Sequence, residues 1–386
     1  MPKIVGSDRA IDFELESLLG RKPIQLDQSP AAEYIQGRSV MVTGAAGSIG
    51  SELCRQLAAF NPRELIGMDQ AETPLFYLEN ELKQCFSGLK FQTEICSVSC
   101  AEDVNRVTAR YRPSVVFHAA GYKHVSLLER HPLAAVENNI FGTWNVAQAA
   151  ALHSVEHFVL ISTDKAVRPV SIMGATKRVA ELAIRALRNS GPTKFVVVRF
   201  GNVLGSSGSV VPIFLDQIAA GGPVTVTDPE MTRYFMTAHE AGQLVLQAVP
   251  HGKSGEILVL DMGEPTNILD LARKLISLSE RKIEIEFIGA RRGEKISEEL
   301  SFPSELPVSI SNSPLLSIAP SEEDGLSRFE VFLHELGVAK RSGEVLRVIA
   351  ALKEMVPEYE PASAPQCGER SFAEKPVGKE MTIANH

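Results

Sequence analysis

A short apolar strand, Ser39-Val-Met-Val-Thr43, runs directly into Gly44-Ala-Ala-Gly47-Ser-Ile-Gly50 and then into a helix over 51–60. No other feature constrains the fold as much. Glycines at such a turn permit a tight bend, let the backbone approach a pyrophosphate, and let the helix pack close to the sheet. The glycine spacing alone is a weak signal; the strand before it and the helix after it give it weight. The next strand, 64–68, ends at Asp69. An acidic side chain at this distance from the glycines hydrogen-bonds the adenine-side ribose diol and repels a 2′-phosphate. The pattern reads as an NAD site formed by Gly44, Ala46, Gly47, Ser48, Ile49, Gly50 and Asp69. The competing reading is a structural glycine turn beside a solvated aspartate.

Strand and helix patterns then alternate. Helices are expected at 71–86 and 101–111, strands at 90–96 and 114–118, a long helix through Asn138 to Thr143, and strands at 157–161 and 195–199. This alternation predicts an α/β fold with a Rossmann-type, doubly wound parallel sheet. After Phe200 a loop rich in glycine and serine leads into a mixed pattern. It has helices at 211–220, 238–249 and 268–280, and strands at 224–227, 256–260 and 283–287. The domain reading is an N-terminal arm (1–36) and an NAD-binding domain (37–205, completed by about 229–262). A smaller interleaved C-terminal substrate domain (206–228 and 263–355) and a disordered tail (356–386) complete it. Within the arm, residues 11–20 have helical spacing, and 23–37 reads as irregular.

Chemistry is expected at the carboxyl ends of the strands. There the strand 157–161 breaks into Ser162-Thr-Asp-Lys-Ala-Val-Arg-Pro169, and Pro169 rules out continuous helix. A helix starting near Ser171 places Met173 and Lys177 on one face, opposite Thr163, Asp164 and Lys165. At the end of 114–118, Ala119 and Ala120 let a cofactor lie against the backbone. His118 reads as a satisfied core histidine. Lys123 and His124 lie where a substrate phosphate or sugar passes, although plain surface exposure fits them equally.

Bulk properties exclude several classes. A net charge of -8 gives no sign of a nucleic-acid partner. Five cysteines, Cys54, Cys85, Cys96, Cys100 and Cys367, are an odd number without zinc-type spacing; reduced thiols in a cytoplasm are expected, and no metal. No apolar run is long enough to span a bilayer, and the first residues lack a signal-peptide core.

Seven segments, in order over about residues 10–300, carry a resemblance: V-T-G-A-A-G-S-I-G-S-E-L (42–53), F-H-A-A-G-Y-K-H-V (117–125), S-T-D-K-A-V-R-P (162–169), M-G-A-T-K-R (173–178), R-F-G-N-V-L-G-S-S-G-S-V-V-P (199–212), M-T-R-Y-F-M (231–236) and R-G-E-K (292–295). The chain resembles the extended short-chain dehydrogenase/reductases. Within them it is similar to the polysaccharide-biosynthesis UDP-N-acetylglucosamine 4,6-dehydratases, in the subgroup with Met-x-x-x-Lys where the superfamily has Tyr-x-x-x-Lys. Its segment 18–24 resembles the link between membrane helices and the catalytic domain of long members, so the chain reads as a soluble version of that catalytic part.

The resemblance implies a lyase. A hydride leaves C4 of the sugar for NAD, a base removes the C5 proton, the C6 hydroxyl departs as water, and the hydride returns at C6. Lys165 is the implied base at C5, its pKa lowered by burial and by Lys177; Asp164 the acid at the C6 hydroxyl; Thr163 the partner of the C4 hydroxyl. Met173 has no titratable group and packs, and Lys177 holds the nicotinamide ribose. Where the family has an aspartate for the adenine, this chain has Ser97, followed by Val98. Lys123, His124, Asn202, Ser209, Val210, Arg233, Arg291 and Glu294 are the implied contacts of the UDP-sugar, and a homo-oligomer is expected. Two rivals remain: a nucleotide-sugar 4-epimerase, and a catalytically silent NAD-binding scaffold.

Overall fold

The computed structural model describes residues 18–19, 21–310, 314–319 and 326–361. Nine strands form one sheet: β1 (Ser39–Thr43), β2 (Glu64–Asp69), β3 (Phe91–Ile95), β4 (Val115–His118), β5 (His157–Thr163), β6 (Lys194–Phe200), β7 (Ile257–Leu260), β8 (Val308–Ser309) and β9 (Leu315–Ile318). Their order is β8-β9-β7-β6-β5-β4-β1-β2-β3. Strands β1 to β7 are parallel, and β9 runs antiparallel to both its neighbours. The crevice between β1 and β4, where the order reverses, is the switch point of a doubly wound sheet.

Both faces of the sheet are covered, so its inner strands are continuous apolar runs. Alternate residues enter opposite cores. Met41, Phe158 and Leu160 point to one side, with α4 (Ala101–Tyr111), α7 (Gly142–Leu152) and α8 (Ile172–Ala186). Val40, Val42 and Val159 point to the other, with α1 (Ser29–Ile35), α2 (Ser48–Ala58), α3 (Glu72–Cys85) and α10 (Ala238–His251). Register aligns Thr43 with Met68 and His118, and His118 with Leu160; β1, β2 and β4 end within a residue of one another, β5 runs three residues further to Thr163, and their loops share one edge. After a short helix, α5 (Val125–Leu128), the expected long helix through Asn138 to Thr143 runs unbroken over 132–152, as α6 (Pro132–Ala135), a π-helical turn (Val136–Phe141) and α7. A third core belongs to the smaller domain, where α9 (Val210–Ala219) and α11 (Ile268–Leu278) pack on a pair of strands, Val224–Val226 and Ile285–Phe287.

The structure corrects three sequence expectations. Within the arm, 29–35 is helical: Pro30 sits in its first turn, and Ala31 and Ile35, one turn apart, are both buried. The segment 308–318 joins the main sheet, and α12 (Leu326–Arg341) and α13 (Val345–Met355) pack on the first core rather than on the substrate domain. Their apolar faces, including Phe329, Phe332, Leu336, Val348 and Leu352, cover α7 and α8; the Trp144 and Phe329 rings stand 5.2 Å apart. The expected tail is ordered at its start: Val356 and Tyr359 are buried, and the Glu360 N–H donates to the Pro169 carbonyl at 3.0 Å. Most of the helix expected at 11–20, and the tail from 362, lie outside the described residues.

Candidate active site

The glycine turn opens the site. Gly44 has φ +69°, and a Cβ there would lie 2.5 Å from Ala120 N; one on Gly50 would lie 2.0 Å from the Gly44 carbonyl oxygen. Only glycine lets strand, turn and helix approach this closely. Asp69 is anchored by two backbone N–H donors, Ala46 to Oδ2 and Ala71 to Oδ1, each at 2.9 Å. A small cavity of about 150 Å³ lies against Asp69, Cys96, Val98, Ala119 and Ala120. Ser97 does not line it, because its hydroxyl turns to Ser99 Oγ at 2.8 Å. Val98 fills the position expected of the pair.

A larger cavity of about 1000 Å³ extends from the glycine turn to the ends of β5 and β6. The expected residues Gly44, Ala46, Gly47, Ser48, Ile49, Gly50, Ala119, Lys123, His124, Thr163, Lys165, Met173, Lys177, Asn202 and Ser209 all line it. Loops from both domains close over it. Lys123 Nζ donates to Ser206 Oγ at 3.3 Å, the Ser207 N–H donates to Ser48 Oγ at 3.2 Å, and the His124 ring lies against Gly208. Burial pushes the Lys123 ammonium down, and the His124 imidazole down as well, with Lys123 adding to the latter.

Strand β5 ends at Thr163, a 3-10 turn covers Asp164–Ala166, and α8 starts after Ser171, whose hydroxyl caps the Gly174 N–H at 3.0 Å. Met173 is 3% exposed and faces the cavity. One turn later, Lys177 Nζ donates to the Ile161 carbonyl at 2.6 Å. Burial lowers Lys177 to about 8, with Glu181 opposing. His118 is the satisfied core histidine. Nδ1 bonds Thr43 Oγ1 at 2.6 Å and Nε2 bonds Thr143 Oγ1 at 3.0 Å. Thr143 donates its own proton to the Asn139 carbonyl, so Nε2 carries the ring proton.

Lys165 is the hub. Its Nζ donates to Asp164 Oδ1 at 3.0 Å and to Asn202 Oδ1 at 2.9 Å, and lies 3.7 Å from Glu298 Oε1. Burial alone would lower its pKa. The Asp164 and Glu298 carboxylates outweigh burial, and the net shift is upward. This corrects the expectation of a lysine lowered by burial and by Lys177. Asp164 is 0% exposed and stands behind the cavity wall, where its Oδ1 also accepts from Thr163 Oγ1 at 2.8 Å. Of the three residues, Thr163 and Lys165 face the cavity; Asp164 reaches it only through them.

Four expected substrate contacts lie elsewhere. Arg233 is buried, with its guanidinium donating to the carbonyls of Thr232, Lys295 and Ile296. Arg291 is exposed and its N–H donates to Glu294 Oε2, so this pair closes its own turn. Val210 packs on the smaller domain's core at the start of α9. Sequence reading missed Glu298, and also the buried cluster behind β5: Ser162 Oγ donates to Glu181 Oε1 at 2.6 Å, and Arg199 pairs with Glu181 and Glu305. Burial opposes ionisation of Glu181, but Arg199 and Arg178 outweigh it and hold the carboxyl at about 2. Arg199 sits in the R-F-G-N segment, yet nothing local marks it as the partner of a glutamate on a helix.

The residues present fit a dinucleotide: a glycine turn free of Cβ atoms, a carboxylate beside the smaller cavity, and a buried lysine facing the larger one. Among the described residues no helix is long and apolar enough to cross a membrane, and no cluster of side chains could hold a metal.

Comparison with known proteins agrees with the architecture. The chain is 48% identical over 351 residues to the probable polysaccharide biosynthesis protein EpsC of Bacillus subtilis, covering 89% of this chain and 58% of that protein. It is 49% identical over 298 residues to the capsular polysaccharide biosynthesis protein CapD of Staphylococcus aureus, covering 76% and 50%. The chain thus spans about half the length of these relatives. A UDP-glucose 4-epimerase of Rickettsia massiliae is 35% identical, covering 70% of this chain and 79% of that protein. Among solved structures, Pen from Bacillus thuringiensis superposes with a TM-score of 0.70 at 33% identity, covering 75% of this chain and 91% of that one. DesIV, a dTDP-glucose 4,6-dehydratase from Streptomyces venezuelae solved with NAD, shares the fold with a TM-score of 0.61 at 20% identity, covering 68% and 88%. The family model described as polysaccharide biosynthesis protein matches residues 40–317, and the chain belongs to that family, on the Rossmann-type fold of the extended short-chain dehydrogenase/reductases.

Proposed function

We propose that this chain modifies a nucleotide sugar, and specifically that it dehydrates UDP-N-acetylglucosamine across C5 and C6, using NAD, for polysaccharide synthesis. One observation carries the reading: at the end of β5 a half-buried lysine lines the cavity together with a methionine and, 3.0 Å behind it, holds a fully buried aspartate. NAD, when bound, supplies a hydride acceptor for C4 and a hydride donor for C6. The glycine turn, Asp69, Val98, Ala119, Ala120 and Lys177 hold it. Lys123, His124 and Ser209 are the contacts offered to the UDP-sugar.

Lys165 removes the C5 proton. A raised pKa holds the resting Lys165 as an ammonium, and it becomes a base once Nζ has given its proton to solvent through the cavity it lines. The Asp164 carboxylate accepts the C4 proton through the Thr163 hydroxyl as the C4 hydride leaves. Asp164 returns that proton, through the same hydroxyl, to the departing C6 oxygen, so one proton passes from the C4 hydroxyl to the water formed. Met173 packs beside the reacting ring and moves no proton.

The second reading is a nucleotide-sugar 4-epimerase, favoured by the 35% identity to a protein of that name. Epimerisation has no use for an acid and base pair at C5 and C6. The test is incubation with UDP-N-acetylglucosamine and NAD, with products identified by mass and NMR. Loss of the C6 oxygen supports dehydration, inversion at C4 with oxygen retained supports the epimerase, and no turnover removes both.

A further inference from the structure

Glu298 is the one carboxylate of the Lys165 cluster to which the dehydration above gives no part. It comes from the smaller domain, in the loop that follows Arg291-Arg292-Gly293-Glu294. That loop is fixed from two sides: Arg233 donates to the carbonyls of Lys295 and Ile296, and Lys295 Nζ donates to the Val167 carbonyl at 2.8 Å. The Glu298 side chain is 3% exposed. Its Oε1 faces Lys165 Nζ at 3.7 Å, its Oε2 faces Lys295 Nζ at 3.7 Å, and Oε2 has no hydrogen-bond partner among the described residues. A buried carboxylate with an oxygen that accepts no hydrogen bond is costly to keep. Its position against the catalytic lysine gives a reason for it.

We propose that Glu298 is a positioning residue that fixes the charge and the place of Lys165, and so sets the pH at which Lys165 becomes a base. The inference rests on the reading of Lys165 as that base. The groups facing Lys165 are Asp164 on its own turn, Glu298 from the smaller domain, Arg233 from the short strand Thr232–Arg233, and the neutral Asn202. Those facing Glu298 are Lys165, Asp164, Arg233 and Lys295. An ionised Glu298 favours the ammonium. Removing its charge leaves Arg233 opposing the ammonium with only Asp164 in its support, so the neutral amine prevails at lower pH. Burial pushes the Glu298 carboxyl itself upward, with Asp164 adding to it, against Lys165, Arg233 and Lys295. The two groups therefore exchange influence: protonation of one releases the other.

The test uses the full chain with NAD and compares wild type, E298D and E298Q. The rising limb of kcat against pH should lie highest in wild type, lower in E298D, whose carboxylate is withdrawn by one methylene, and lowest in E298Q. The ratio of E298Q to wild-type kcat should therefore increase as pH falls. A merely structural role would lower kcat by a factor independent of pH. The same order should appear without turnover in the pH dependence of acetylation of Lys165 by acetic anhydride, read by mass spectrometry. If E298Q folds poorly, E298D carries the comparison with a smaller shift in the same direction. Equal midpoints in the variants and wild type would overturn the proposal. A wild-type protein without dehydration would overturn the proposed function instead, leaving the acetylation comparison to decide the charge coupling.

Discussion

Asn202 Oδ1 accepts a hydrogen bond from Lys165 Nζ at 2.9 Å, so a residue that family resemblance directs at the substrate instead steadies the proposed base. Asn202 follows β6 at the point where the chain leaves the sheet for the smaller domain. Replacing it with alanine removes one acceptor from a buried ammonium. A hydrogen bond to a charged group corresponds to roughly a ten- to hundredfold change in rate. Asn202→Ala should lower kcat by that range while the KM for UDP-N-acetylglucosamine changes little. A raised KM with unchanged kcat would return Asn202 to substrate binding.

Asp69 is the residue proposed to govern the choice of dinucleotide. Its oxygens already hold the Ala46 and Ala71 N–H groups, which fixes the carboxylate beside the smaller cavity. Asp69→Asn keeps an acceptor for Ala46 and removes the charge that repels a 2′-phosphate. Titration of intrinsic fluorescence should show the preference for NAD over NADP narrowing by about tenfold or more. An unchanged ratio would mean that another group reads the ribose.

Tyr359 ties the chain beyond α13 to the first core. It is 1% exposed and packs within the first core, near Glu129 and Arg292. Tyr359→Ala should lower stability by about 3–5 kcal/mol, the usual cost of truncating a large buried aromatic. Urea denaturation followed by circular dichroism measures it. A wild-type midpoint would show that the segment is not docked in solution.

Acid should weaken the fold through two imidazoles before the carboxylates titrate. Burial lowers His118 to about 3 and His157 to about 4, the latter with help from Lys194. The unfolded chain therefore binds protons that the folded chain refuses. Their contribution to stability is complete above about pH 6.5 and is lost as pH falls toward the folded values. Each costs up to about 1.4 kcal/mol per pH unit in that window. The stability of His118→Asn should fall less steeply than that of wild type between about pH 6 and 4. Parallel slopes would contradict a neutral, buried His118.

What the chain declares in its sequence is what depends on neighbours along it. The glycine turn, Asp69 at the end of β2, the start of α8 at Ser171 and the pairing of Met173 with Lys177 are all set within a few residues by caps, turns and helical spacing. Glu298 and Lys165 are 133 positions apart and meet only because the smaller domain folds back over β5 and β6. The buried Glu181 and Arg199 are indistinguishable in the sequence from solvated charges; the segment 300–305, with the Leu300 carbonyl, Phe302 and Glu305, closes over Arg199 and helps to bury them. Arg233 and Arg291 look alike as cations of loops. One is consumed by backbone carbonyls and the other is left in solvent, a difference made by tertiary contacts alone. Tyr359 lies where hydrophobic residues thin out, and a single aromatic in such a stretch carries no periodic signal.

The central claim is that Lys165 takes the C5 proton, and its most direct test is exchange at C5. Lys165→Met and wild type are mixed with UDP-N-acetylglucosamine and NAD in deuterated solvent, in single-turnover amounts. NADH absorbance reports the C4 step and NMR reports deuterium at C5. Lys165→Met should still form some NADH yet incorporate no deuterium at C5 and lose no water. Deuterium entering C5 in Lys165→Met at the wild-type rate would remove the lysine from the role of base.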